Sequence, residues 1–183
     1  MKNWKNINID EIFDLSIKTN NGKLTKNFIK INPGHIPVYG ASNSNIINGK
    51  LKDNLIGIKY FENCLTWNTN GSIGKVFFHQ ERFTITSDVI PLIIRENLKK
   101  NLDFFYLKYS IEKESKKENF GFSNKAGKEK IKNIKIKIPI DIFGNFDLNE
   151  QKKIAKKIQK IKEIKKNIKM EFKKIENVKI KLI

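Results

Sequence analysis

Apolar side chains recur at alternating steps of three and four through residues 148–183. Ile154, Ile161, Ile168, Ile175 and Leu182 fall on one core position of a heptad, and Gln151, Ile158, Lys165, Phe172 and Lys179 on the other. No Pro or Gly interrupts the run, which predicts one helix roughly 54 Å long at about 1.5 Å per residue. The seam has no counterpart elsewhere in the chain, so the helix is expected to project as an arm and close against a second copy. Ile154, Ile158, Ile161, Ile168, Phe172, Ile175 and Leu182 are the expected dimerisation residues. Lysines at core positions weaken cohesion but specify register and partner. Ile164 and Val178 widen the stripe, which implies a second contact with the chain's own body or with another protein.

The pattern in residues 1–147 is different, and it predicts a β-rich, mixed α/β domain with a few helices. Residues 4–16 alternate loosely and turn helical at DEIFDL, where Asp10 can cap. A polar stretch leads to Pro33-Gly34, a turn signal, and then to a short strand at IPVY. Asn48-Gly49 reads as a hairpin corner. The densest strand signal follows in IGIKYF (56–61), CLTWNT (64–69), SIGKVFFH (72–79) and RFTITSDVIPLII (82–94), with a turn at Asn70-Gly71. Residues 101–118 have helical spacing, with Leu102, Phe105, Tyr106, Tyr109 and Ile111 on one face. After a loop, KIKNIKIKIPI alternates Lys with Ile and ends at Pro139, as a strand with one core face and one basic face does. The expected organisation is thus a domain over 1–147 joined to a coiled-coil helix over 148–183.

Charge adds a partner to this picture. A formal net charge of +18 and a pI near 9.8 point to a polyanion, most simply nucleic acid, because neutralised phosphates release counterions. Arg occurs only as Arg82 and Arg95, so the basicity is a lysine basicity of the kind an AT-rich genome also produces. Thirteen Lys stand against four Glu in residues 148–183, half of the excess. Two such arms side by side repel unless phosphates or an acidic protein lie close. No apolar run has transmembrane length and the N-terminus carries charge throughout, so no membrane partner and a cytoplasmic location are expected. Cys64 is alone, which rules out an internal disulfide, and reads as a small buried hydrophobe.

No catalytic constellation emerges. The tract from Gly121 to Glu129 has five residues between its glycines and Glu where a phosphate-binding loop needs Ser or Thr. Asn32-Pro33 is followed by Gly34 rather than by an aromatic that would clamp a flipped adenine. His35 and His79 lack companions at metal-ligand spacing. Asp10, Asp14, Glu62 and Asp88 read as caps and solvated surface. The chain is expected to have no enzymatic activity and to bind no cofactor or metal itself.

Three segments in order carry a resemblance: Gly34-His35-Ile36-Pro37-Val38-Tyr39-Gly40-Ala41, then Leu65-Thr66-Trp67-Asn68-Thr69-Asn70-Gly71-Ser72-Ile73-Gly74-Lys75-Val76, then Ile136-Lys137-Ile138-Pro139 with Asn149-Glu150-Gln151-Lys152-Lys153-Ile154-Ala155. Together with the opening Trp4-x4-Ile9-x2-Ile12-Phe13 they resemble the target recognition domain and adjoining helix of specificity subunits from type I restriction-modification systems. The resemblance covers essentially the whole chain. It implies methyltransferase subunits using S-adenosylmethionine and a restriction translocase subunit as partners. Such subunits resemble two of these units in tandem, with their helices paired antiparallel, whereas this chain has one unit. A homodimeric half-subunit reading a bipartite, palindromic target is therefore expected. Three alternatives stay open: the specificity component of a related system with a fused methylase-nuclease partner, a coiled-coil adaptor binding nucleic acid without sequence preference, and a nuclease with a degenerate site.

For base reading, the candidates are polar loops between strands: Ser42, Asn43, Ser44 and Asn45; Asn68, Thr69 and Asn70; Ser123, Asn124, Lys125 and Lys128. Asn pairs bidentately with adenine, and Lys reaches guanine or phosphate. Each taken singly is more simply a surface turn residue. Trp67 and Phe77-Phe78 read as strand residues mixing core and surface positions. Arg82 and Arg95 alone can make the commonest guanine contact, if they reach a groove.

Overall fold

The computed structural model describes residues 3–121 and 124–176. Strand β1 (Asn3–Asn8) runs into a single helical turn, α1 (Ile9–Ile12), and a two-residue strand β2 (Phe13–Asp14). The cap is Asn8 rather than Asp10: the Glu11 carboxylate accepts from the Asn8 N–H at 2.9 Å, which leaves Asp10 inside the first turn. Next comes α2 (Lys26–Ile31), which the hydrophobic pattern did not announce, because only Ile29 is buried. Its start is set by Thr25, whose hydroxyl accepts from the Phe28 N–H at 3.1 Å.

Strands β3 (Pro33–Tyr39) and β4 (Ile47–Leu51) form an antiparallel pair, so Pro33-Gly34 opens a strand instead of turning the chain. A Cβ at Gly34 would lie 2.3 Å from the Leu51 carbonyl oxygen; only glycine permits this approach, where the register slips. Asn48-Gly49 is inside β4, and the reversal lies earlier, in 40–46, with Asn45 at φ 54°. IGIKYF forms no strand. It turns at Gly57 (φ 74°), bridges Phe61 to Phe83, and accepts at the Lys59 carbonyl from Thr84 Oγ1 at 2.7 Å.

The strongest predicted strands are present. β5 (Cys64–Asn68) pairs antiparallel with both β6 (Val76–His79) and β8 (Val89–Ile94), and β2 completes a four-stranded sheet in the order β2-β8-β5-β6. β7 (Thr84–Ile85) pairs parallel to β3 and makes a second, three-stranded sheet, β4-β3-β7. Beside β7 Asn20 is buried. Its amide donates to Thr84 Oγ1 (2.8 Å) and the Ile85 carbonyl (3.1 Å), and its Oδ1 accepts from the Lys59 N–H (2.7 Å).

A 3-10 turn leads into α3 (Phe104–Ser115), capped by Asp103 Oδ1 accepting from the Tyr106 N–H at 2.7 Å. Tyr106, Leu107 and Ile111 face the core, while Phe105, expected on that face, is 40% exposed because Leu107 occupies the inward position. The short α4 (Lys128–Ile131) precedes β9 (Lys135–Ile140), which pairs with β1. β9 alternates as expected, with Lys135 and Lys137 outward and Ile136 and Ile138 buried, but Pro139 lies within it, not at its end.

Helix α5 (Leu148–Glu176) begins where Asp147 Oδ1 accepts from the Glu150 N–H at 2.9 Å. Its first three turns pack on the chain's own body. Ala155 is buried and Ile154 is packed against the main core. Gln151 is fully buried, donating to the Asn101 carbonyl and accepting from the Asp103 N–H, both at 3.0 Å. Ile154 and Ile158 are half-buried and line a cleft with Trp4, Tyr106 and Tyr109, so this stretch of the expected dimer seam already has a partner in its own domain. From Ile161 onward the seam is bare: Ile161, Ile168, Phe172 and Ile175 are 50–66% exposed. Leu182, Val178 and Lys179 lie outside the described residues. No helix among the described residues is long and apolar enough to cross a membrane.

Candidate nucleic-acid interface

The three polar segments lie far apart in sequence, yet they meet at one end of the four-stranded sheet. β5 is buried along its whole length, and its last residue, Asn68, is buried with it. The Asn68 amide donates to the Ser42 carbonyl at 3.0 Å, which ties the 40–46 reversal to the β5–β6 turn. A Cβ on Gly71 (φ 60°) would sit 3.2 Å from the Ala41 carbonyl, so the two loops are in van der Waals contact. On the other flank, Trp67 Nε1 donates to the Ala126 carbonyl at 3.1 Å and holds the 120–127 loop against the same strand. Phe120 meets the Trp67 ring edge-on at 6.0 Å. A recess of about 550 Å³ lies between the turn and this loop, lined by Asn70, Gly71, Ile73, Phe120, Gly121 and Lys125.

Contacts divide the candidate residues into supports and free groups. Asn68 is a support, since its amide is buried and bonded. Thr69 donates its hydroxyl to the Asp88 carbonyl (3.0 Å) and Asn70 donates to Asp88 Oδ1 (2.6 Å), so both shape the turn around Asp88. Asp88 read as solvated surface, but it is the anchor of this turn; only tertiary pairing across 18 residues shows that. Asn124 donates to the carbonyls of Glu118 and Asn119 and accepts from Lys130, which closes its own loop. The Lys128 ammonium donates to the Ile17 carbonyl at 2.6 Å, and burial holds its pKa below the ordinary lysine value. Ser42 caps its own loop by accepting from the Ile46 N–H at 3.1 Å. Asn43, Ser44 and Lys125 are exposed, and Asn45 is half-exposed. Ser123 lies outside the described residues.

Neither arginine is disposed toward this recess. Arg82 donates through Nε to Asp53 Oδ1 (2.9 Å) and its guanidinium lies 4.9 Å from the Tyr60 ring centroid, while Arg95 brackets the Asp10 carbonyl with Nε and Nη2. Both guanidinium forks serve the fold.

Reactive groups are muted. Burial pushes the Cys64 thiol up to about 12. Burial, with Lys108 nearby, pulls His79 down to about 4; the neutral ring shares a hydrogen bond with Thr66 Oγ1 at 3.0 Å and stacks on Phe83. Among the described residues no group of three or more His, Cys, Asp or Glu is placed to hold a metal ion. The arrangement offers shape, hydrogen bonding and positive charge.

The type I restriction modification DNA specificity domain matches residues 1–179. A chain of Mycoplasma pneumoniae named as a type I specificity subunit, S.MpnORF507P, is 30% identical over 150 residues, 81% of this chain and 38% of that protein. The specificity subunit S.BcgI of a type II restriction enzyme from Heyndrickxia coagulans is 26% identical over 157 residues, 81% of this chain and 42% of that protein. The chain thus spans about two fifths of the length of these curated relatives. Among solved structures, the S subunit of a type I restriction-modification system from M. genitalium superposes with a TM-score of 0.63 at 22% identity, covering 92% of this chain and 41% of that one. A chain from a study of assembly and conformational transition in the type I system superposes with a TM-score of 0.70 at 14% identity, covering 94% and 42%. At these identities the superpositions establish the fold, and the domain match establishes kinship: the chain belongs to the family of type I restriction modification DNA specificity domains.

Proposed function

We propose that the chain reads a short DNA sequence and directs a methyltransferase and a restriction translocase to it, acting as a homodimer on a bipartite, palindromic target. The supporting observation is the meeting of the 40–46, 69–72 and 120–127 loops on one buried strand. Rigid strand ends hold exposed Asn43, Ser44 and Lys125 beside Asn70, the kind of constellation that reads base edges while other contacts fix orientation. With both arginines occupied, Asn pairing to adenine is the favoured specific contact. The bare seam of α5 supplies the two-fold join, and the distance between the two heads sets the gap in the target. Catalysis, with S-adenosylmethionine, belongs to the partner subunits in this reading.

The test is methylation mapping in a host carrying this chain with its methyltransferase. A symmetric, interrupted motif is the expected result. Exchanging Asn43-Ser44 together with Lys125 for other polar residues should change which motif is methylated and leave assembly with the methyltransferase intact. Loss of assembly instead would make these loops structural.

The similarity to a type II specificity subunit favours one second reading, in which methylase and nuclease are fused in a single partner. The genes flanking this one decide between the two.

A further inference from the structure

A second cavity of about 450 Å³ adjoins the loop recess. It shares Ile73 and Phe120 with it and is lined further by Lys75, Glu112, Lys116 and Lys162. The two form one groove running from the β5–β6 turn, past the end of α3, to the arm. Lys75, Lys116 and Lys125 are exposed at its edge, and the Lys162 ammonium reaches in from α5 at 3.9 Å over the Tyr109 ring.

Among the described residues that line the groove, one carboxylate relieves this positive charge. Glu112 accepts from the Val76 N–H at 3.2 Å and lies 3.6 Å from Lys162, so it is already shared. Lys117 and Glu114 form a separate ion pair nearby and cancel each other. Behind the wall Lys108 is half-buried, 5.2 Å from the Phe77 ring centroid. Burial holds its pKa below the ordinary lysine value, Glu112 works against that, and Lys162 and Lys75 add to it. Lys75, Lys108, Lys116 and Lys162 thus gather on a face where Glu112 is shared among them, and positive charge is in excess.

We infer that this groove is a track for the phosphate backbone of duplex DNA, with Lys75 and Lys116 on the head and Lys162 on the arm contacting successive phosphates. A duplex presents one charge per about 1.7 Å of axis, so a groove crossing from head to arm meets several. Its phosphates also offset the repulsion that a lysine-rich arm brings to a dimer. The inference depends on the DNA-reading proposal only for the identity of the polyanion, and it concerns the sequence-independent part of binding.

The full chain is titrated with a random-sequence duplex of about 30 base pairs by fluorescence anisotropy, from about 50 to 200 mM salt. Each phosphate contact contributes about 0.9 to the slope of log affinity against log salt. The variant Lys75→Gln/Lys116→Gln should lower that slope by about two, so that the unsubstituted chain loses about tenfold more affinity than the variant over this range. Lys162→Gln should lower it by about one more. Because Lys162 also braces Tyr109, the double variant carries the test if Lys162→Gln melts early. An unchanged slope with the duplex still bound overturns the track, as does tighter binding to a single strand than to the duplex. A chain that passes here and shows no motif preference in methylation mapping keeps the track and loses the specificity reading.

Discussion

Replacing Ile161 and Ile168 with Asp is expected to turn a dimer into a monomer in multi-angle light scattering. Both side chains lie on the stretch of α5 that leaves the body, at 52% and 50% exposure, in line with Phe172 and Ile175. Fully burying an isoleucine contributes about 1.5–3 kcal/mol. Four isoleucines are lost across a two-fold pair, and each aspartate placed in the seam must also shed water. An opposing effect exists, because two added carboxylates per chain reduce the arm's positive charge and ease repulsion. Exposed charges in salt are worth only about 0–1 kcal/mol each, so the loss of the seam dominates. Ile154 and Ile158 are the wrong places for this test: they are half-buried against the chain's own body, and Asp there would unsettle the domain. A monomer before substitution, or an unchanged mass after it, would refute the two-fold join.

What the sequence disclosed follows how local each signal is. Alternation in 135–138 placed Lys outward and Ile inward without ambiguity, because period-two burial needs no distant partner, and the apolar run 64–69 identified the central strand, which is buried on both faces. The same rule failed at IGIKYF, where a positive φ at Gly57 turns a strand-like composition into a loop. Gln151 shows a different limit. A heptad count places it on the arm's seam, but its amide is matched to Asn101 and Asp103, about fifty residues upstream, and nothing near it in the chain reveals that. The candidate loops were legible as turn-rich polar segments. Their division into supports and free groups was not, because Asn68 and Thr69 differ from Asn43 and Ser44 in the tertiary carbonyls they meet, and Asn124 in closing its own loop. The lysine groove was hidden for the same reason, since Lys75, Lys116 and Lys162 converge from a hairpin, the end of one helix and another helix.

Trp67→Ala should lower the melting temperature by roughly 6–20 °C. Its indole is fully buried at the centre of the four-stranded sheet, and truncation of a large buried aromatic costs about 3–5 kcal/mol through lost transfer energy and the cavity left behind. For a domain of this size each kcal/mol shifts the midpoint by about 2–4 °C. Trp67→Phe separates packing from hydrogen bonding. It keeps most of the apolar volume but removes the donor to the Ala126 carbonyl, at an expected cost of about 1–3 kcal/mol. That carbonyl belongs to the loop bearing Lys125, so the loss should appear as faster amide exchange in 119–127 and weaker motif selection, with the arm's association unchanged. Equal protection of that loop in Trp67→Phe and the unsubstituted chain would show that packing by Phe120, not the indole N–H, holds this edge of the interface in place.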